Sequence, residues 1–235
     1  MFEVPNAGPV PSYAAGPEPD TDLSVSGHKH FALLVDDIAK TVKDLEALNV
    51  SVVSLKRVAL EGVGNFFAAF ITDNTGALME LPEADVTFPA TRSGRVLGQG
   101  PIPIDRLHHV AINVPDRDRA IRWYSGRLGL TVATTFEVEA IGLRSCMMEG
   151  PGFWMEIHSM ANSAAVPEER QDPYTDLQTL GNKYFALSVK DAERAAEDLE
   201  AAGVVVIARE AEAGVRRVFI RDDQGIVLEL IQPAC

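Results

Sequence analysis

Three side chains able to hold a proton or a cation interrupt strand-like apolar stripes in the second half of this 235-residue chain. In HVAINV, Val110, Ile112 and Val114 share one face, while His109 lies on the other with Ala111 and Asn113. In FWMEIH, Glu156 shares its face with Trp154 and His158. In VLELI, Glu229 shares its face with Val227 and Ile231. A carboxylate set into an apolar stripe is costly unless it is paired or coordinated. Two chemistries answer that cost: a shared cation, or ion pairing inside the protein. His158, two residues past Glu156, is placed to orient a neighbour or shuttle a proton. His108 points away from His109 and reads as structural or surface. No Ser/His/Asp order or dinucleotide fingerprint accompanies them, and the GPG at 150–152 lacks the strand-to-helix setting of a phosphate loop.

The elements that carry these residues repeat. HFALLVDDIAKTVKDLEALNVSVV from His30 aligns without a gap on YFALSVKDAERAAEDLEAAGVVVI from Tyr184. Each has a similar close, FITDNTGALMEL ending at Leu81 and FIRDDQGIVLEL ending at Leu230. A more divergent copy runs from His109, HVAINVPDRDRAIRWYSGRLGLTVA, to the strand ending at Ile157. Asp116 and Asp191 stand where a helix needs an N-cap, and Gly129 and Gly203 where it needs a left-handed end. Each copy therefore reads as a β-α-β-β-β unit. Trp123 and Tyr124 fall on its helix as packing residues. One such unit leaves a sheet face bare, so units are expected to pair into a curved, cup-like mixed sheet of α+β class.

Linkers at 83–105 and 159–181 lack periodicity. MFEV at the start holds the place that WMEI holds before the 159–181 linker, as the last strand of a further unit. Residues 1–82 are thus expected to form an incomplete domain, and 106–235 a complete one made of two adjacent units. Adjacent pairing is favoured because neighbouring units connect most simply. The other pairing, 28–82 against 106–158, would bring together His30, Glu80, His109 and Glu156.

A formal charge of −13 argues against nucleic-acid or anionic-membrane partners and leaves a small molecule as the expected ligand. No apolar run approaches the ~20 residues of a membrane span. The start shows neither a basic region nor an apolar stretch of a signal peptide. Two cysteines, Cys146 and Cys235, make no disulfide framework, so a reduced cytoplasmic setting is expected.

LHHVAINV, AIRWYSGRLGL and the closing GIVLEL together resemble the vicinal-oxygen-chelate superfamily, which includes glyoxalase I, extradiol dioxygenases, epimerases and bleomycin-resistance proteins. Metal-using members take ligands from the first and last strands of paired units. Carried over to the adjacent pair, the resemblance implies His109, Glu156 and Glu229 around one divalent ion (Mg, Mn, Zn, Ni or Fe(II)), with Tyr184 at the fourth position. Tyr is a poor ligand there, and its presence counts against the two-His iron site of a ring-cleaving dioxygenase. In the N-terminal half the same positions are Glu3, His30 and Glu80, a possible second site.

The resemblance implies a glyoxalase-like lyase or isomerase acting on a small substrate with adjacent oxygens. The metal would stabilise an enediolate while Glu156 or Glu229 moves the proton. Alternatives are an extradiol dioxygenase, or a metal-free binding protein in which Tyr184 and Trp154 stack on the ligand. Tyr184, Trp154 and His158 are the expected substrate contacts. Unit 28–82, with no complete partner before it, is expected to close its cup in a homodimer.

Overall fold

Three helices start in the same way. Asp37, Asp116 and Asp191 each sit in extended backbone and accept a hydrogen bond from the amide three residues on, at Lys40, Arg119 and Arg194. The helices they open are α1 (Ile38–Ala47), α2 (Arg117–Leu128) and α4 (Ala192–Ala201), with a single turn, α3 (Pro173–Asp176), between the last two. Two of the helix ends use glycine in the left-handed region, Gly129 at φ 70° and Gly203 at φ 82°. Asn49, at φ 60°, fills the position that Gly203 holds in the aligned copy. The repeat therefore records one local solution used three times. A computed structural model of the chain describes residues 24–60, 64–73, 76–83, 104, 106–177 and 181–234.

The strands are β1 (Gly27–Leu34), β2 (Val52–Leu60), β3 (Gly64–Thr72) and β4 (Leu78–Pro82) in the first unit. The second unit has β5 (Arg106–Asn113), β6 (Thr131–Val138), β7 (Leu143–Gly150) and β8 (Phe153–Met160). The third has β9 (Ala186–Ser188), β10 (Val205–Glu212), β11 (Val215–Arg221) and β12 (Val227–Gln232). In every unit the first strand runs parallel to the last, β1 with β4, β5 with β8 and β9 with β12, which confirms the β-α-β-β-β reading.

The pairing of units differs from the sequence expectation. One eight-stranded sheet has the order β2-β3-β4-β1-β5-β8-β7-β6, with β1 and β5 antiparallel at its centre. Its edge strands β2 and β6 approach each other, so the sheet is curved into a cup. Units 28–82 and 106–158, placed in separate domains by the sequence, therefore share a sheet. Unit 184–232, expected to partner 106–158, forms a four-stranded sheet of its own. The first strands record the difference, being paired on both sides in the eight-stranded sheet and on one side in the four-stranded sheet. β1 and β5 have eight residues each, whereas β9 has three.

The third unit is attached on the helix side instead. Ile112, Trp123, Tyr124, Met148 and Ile157 of the second unit lie in one buried cluster with Ala196, Leu199, Val218, Ile220 and Leu228 of the third. Burial of that apolar surface is the main force holding the two together. At its rim the Tyr124 hydroxyl donates to Asp222 Oδ2 at 3.2 Å, and Arg119 reaches Asp223 at 2.7 Å. The first unit has its own cluster under α1, formed by Val35, Ile38, Val42, Leu45 and Leu81. The half-cup that motivated a homodimer is thus closed within the chain. Among the described residues no helix is long and apolar enough to cross a membrane.

Candidate metal centre

Four candidate ligands meet on the eight-stranded sheet. His30 stands on β1, His109 on β5, Glu80 on β4 and Glu156 on β8. One ligand atom from each lies within 4.8 Å of all the others. The register explains how. Ala32 pairs with Glu80, and Ala111 pairs with Glu156, so each carboxylate lies beside the smallest side chain of the adjoining first strand. Each alanine follows its histidine by two residues and faces the same way. The four are buried, with exposures between 2 and 7%.

The distances are short for ionisable groups with no solvent around them. Glu80 Oε2 is 3.0 Å from His109 Nε2 and 3.2 Å from His30 Nε2. Glu156 Oε2 is 3.3 Å from His109 Nε2, and the two imidazole Nε2 atoms are 3.3 Å apart. Burial acts to raise the Glu80 carboxyl, but the facing His109 and His30 rings override it and bring it down to about 2. Burial acts to lower His109, and the Glu156 and Glu80 carboxylates override that and carry it up to about 9. Glu156 is likewise held well below the usual carboxylate range: burial is outweighed by His158, His109 and His30.

A divalent ion fits this donor set. Two imidazole nitrogens and two carboxylates suit Zn, Ni, Mn or Fe(II), and the two negative charges offset the ion's own. Glu80 Oε2, though close to both rings, is buried with no aligned hydrogen-bond donor, which leaves a lone pair facing the centre of the cluster.

Two residues that support the cluster were not identified from sequence. The Ser145 hydroxyl donates to Glu156 Oε1 at 2.8 Å. Its only sequence signal is the β7–β8 register, which places Ser145 opposite His158 and on the same face as Glu156. His108, read from the sequence as structural or surface, is buried, and its Nδ1 lies 2.8 Å from His109 Nδ1. That contact fixes which His109 nitrogen turns to the cluster. His158 is beside the site as expected from parity, with Nε2 3.4 Å from Glu156 Oε2, and Trp154 is buried on the same strand face.

The ligand set His109, Glu156 and Glu229 is not assembled. Glu229 lies in the four-stranded sheet, where its Oε1 is 3.3 Å from Arg217 Nε. Burial raises its carboxyl and Arg217 opposes the rise. Ion pairing, the other answer to a carboxylate in an apolar stripe, holds for Glu229. Tyr184 also belongs to that sheet's surroundings, edge-on to Phe219 with ring centroids 5.3 Å apart. Glu3 falls outside the described residues.

The fold and this cluster mark a vicinal-oxygen-chelate protein. Residues 108–220 match the Glyoxalase/Bleomycin resistance protein/Dioxygenase superfamily. The chain is 30% identical over 147 residues, 53% of its own length and 78% of the relative's, to a 2-epi-5-epi-valiolone epimerase of Actinomyces sp. It is 34% identical over 110 residues, 47% of its length, to a probable chloroplastic lactoylglutathione lyase of Arabidopsis thaliana, of which the match spans only 26%. Glyoxalase I from Zea mays superposes with a TM-score of 0.62 at 18% identity, covering 88% of this chain and 67% of that one. The chain belongs to the glyoxalase, bleomycin-resistance and dioxygenase superfamily.

Proposed function

We propose that this protein is a metal-dependent lyase or isomerase that moves a proton between neighbouring carbons of a small substrate bearing adjacent oxygens. The observation that supports it is the buried group of His30, Glu80, His109 and Glu156. A divalent ion bound there would polarise the substrate oxygens and make the adjoining C–H more acidic. The chain's own part is to hold the ion with two imidazoles and to place a carboxylate within reach of that proton. When the C–H bond breaks, its electron pair stays on the substrate as an enediolate. The carboxylate then returns the proton to the neighbouring carbon, or the second carboxylate delivers one to the same carbon from the other side. Ala32 and Ala111 leave room beside the carboxylates, while Met147, opposite Glu156 and buried, helps keep water out. A lyase and an epimerase among the relatives fit the same proton chemistry.

A dioxygenase reading draws on the same two imidazoles, which remove the objection that Tyr184 raised. The second carboxylate weighs against it, since it takes up a position that ring cleavage leaves open for oxygen. The test is to load the purified chain with Zn, Ni, Mn or Fe(II) and incubate it in D2O with lactoylglutathione or 2-epi-5-epi-valiolone. Metal-dependent deuterium incorporation at the carbon next to the carbonyl supports the reading. Full metal loading without exchange in either compound, with oxygen uptake on catechol, would replace it with the dioxygenase.

A further inference from the structure

A third imidazole stands beside the four candidate ligands. His158 follows Glu156 by two residues on β8, faces the same way and is buried. Its Nε2 is 3.4 Å from Glu156 Oε2, and its ring centroid is 5.8 Å from that of His30. Three imidazole Nε2 atoms thus approach Glu156 Oε2: His109 at 3.3 Å, His158 at 3.4 Å and His30 at 3.9 Å.

Both ring nitrogens of His158 are buried, and neither makes an aligned hydrogen bond among the described residues. That is costly, because a neutral imidazole carries one donor and one acceptor that burial cuts off from water. The polar side chains across from it on both sides are engaged elsewhere. Ser145, opposite on β7, donates to Glu156 Oε1 at 2.8 Å. Asn113, opposite on β5, donates to the Ser163 hydroxyl at 3.0 Å. The strand itself does not ask for an imidazole. Two residues past their own carboxylates, the first and third units have Pro82 and Ile231, and each closes the same kind of strand. What distinguishes the His158 position is the cluster beside it.

We infer that His158 is a fifth donor to the metal centre, so that the site offers three imidazoles and two carboxylates. This rests on the metal-site reading above. His158 is not among the four residues whose ligand atoms lie within 4.8 Å of one another; it stands at the edge of that group, on the Glu156 side. A third imidazole narrows the ions the site prefers. Imidazole suits Zn, Ni and Fe, whereas carboxylates and water suit Mg and Mn. The resident ion is then Zn, Ni or Fe(II) rather than Mn or Mg, a choice that two imidazoles and two carboxylates leave open.

The test counts imidazoles and compares ions without using turnover. The full chain is loaded with Co(II), and the imidazole N–H protons shifted by the ion are counted by proton NMR. Wild type should show three, and His158→Ala two. Ni(II) and Mn(II) are then titrated calorimetrically into both proteins. His158→Ala should lose ~100-fold or more in Ni(II) affinity and less than ~5-fold in Mn(II) affinity. His158→Gln, which keeps most of the bulk, should also show two shifted protons and the same lean toward Mn(II). Should His158→Ala fail to fold, wild type and His158→Gln decide between them. Two shifted protons in wild type, with Ni(II) bound equally by wild type and variants, overturn the inference and leave a four-donor site. Equal losses of Ni(II) and Mn(II) in the variants, again with two shifted protons in wild type, also overturn it and make His158 a positioning residue for Glu156. A wild-type chain that takes up neither Co(II) nor Ni(II) overturns the metal-site reading and the inference with it.

Discussion

The first and third units share an aligned strand and helix, from His30 and from Tyr184, and a similar closing strand, yet their equivalent carboxylates do opposite things. Glu80 closes FITDNTGALMEL and Glu229 closes FIRDDQGIVLEL, each on the last strand and each beside an alanine of the first strand, Ala32 and Ala186. Glu80 faces His30 and His109. Glu229 faces Arg217, a residue of its own unit. A β-α-β-β-β unit therefore supplies half a site, and the unit across the seam decides whether that half joins a buried two-His, two-Glu cluster or an ion pair. β1 gains β5 as neighbour, whereas the three-residue β9 meets no second first strand among the described residues.

The largest effect should follow from cutting that seam. A fragment of residues 106–235 keeps His109, Glu156 and Glu229 but loses β1–β4. It should expose the long β5 edge, bind ANS or self-associate, and take up no divalent ion. A fragment that unfolds cooperatively as a monomer and binds one ion would restore the adjacent pairing.

Protons sharpen the comparison next. His109, raised from 6.5 to about 9, contributes stability to the metal-free protein that is full below pH 6.5 and lost as pH rises through about 9. Glu80, lowered from 4.5 to about 2, contributes stability that is present above pH 4.5 and lost as pH falls through about 2. An ion must displace the His109 proton, so its affinity should have the opposite trend on the alkaline side. It should rise about tenfold per pH unit from neutrality and level off near 9. Isothermal titration at several pH values would show this; an affinity flat from pH 6.5 to 9 would mean that no proton is displaced.

Smaller effects belong to the third unit. Arg217→Ala leaves Glu229 without its counter-charge, but Arg217 is about one-third exposed (34%) and solvent screens the loss. The expected cost is about 1 kcal/mol in urea unfolding, with no change in ion uptake. Asp191→Ala removes the cap that accepts from Arg194 N and should cost about 1 kcal/mol by the same measurement. If either variant shed the ion, the third unit would belong to the site after all.

What the sequence reveals follows from where each feature's information lies. Caps at Asp116 and Asp191, the left-handed ends at Gly129 and Gly203, and the inward faces of His109 and Glu156 depend on local spacing, and all are as read. Unit pairing is non-local, and strand parity is satisfied equally by either choice. The expectation followed linker simplicity, whereas the structure pairs β1 with β5 and leaves β9 at the edge of its own sheet. The site inherited that difference, gaining His30 and Glu80 and releasing Glu229. Ser145 was hidden for a related reason, because its place opposite His158 depends on the β7–β8 register. His108 lies one residue outside the inward-facing set, and parity alone gives no sign of its contact with the His109 ring.

If a divalent ion sits across the β1–β5 seam, its uptake depends on His30 of β1 and not on Glu229 of β12. Nickel or zinc is titrated into His30→Ala and Glu229→Ala, each checked for an intact fold by circular dichroism. His30→Ala should lose the ion by ~100-fold or more while Glu229→Ala binds like wild type. Loss in Glu229→Ala with retention in His30→Ala would contradict it.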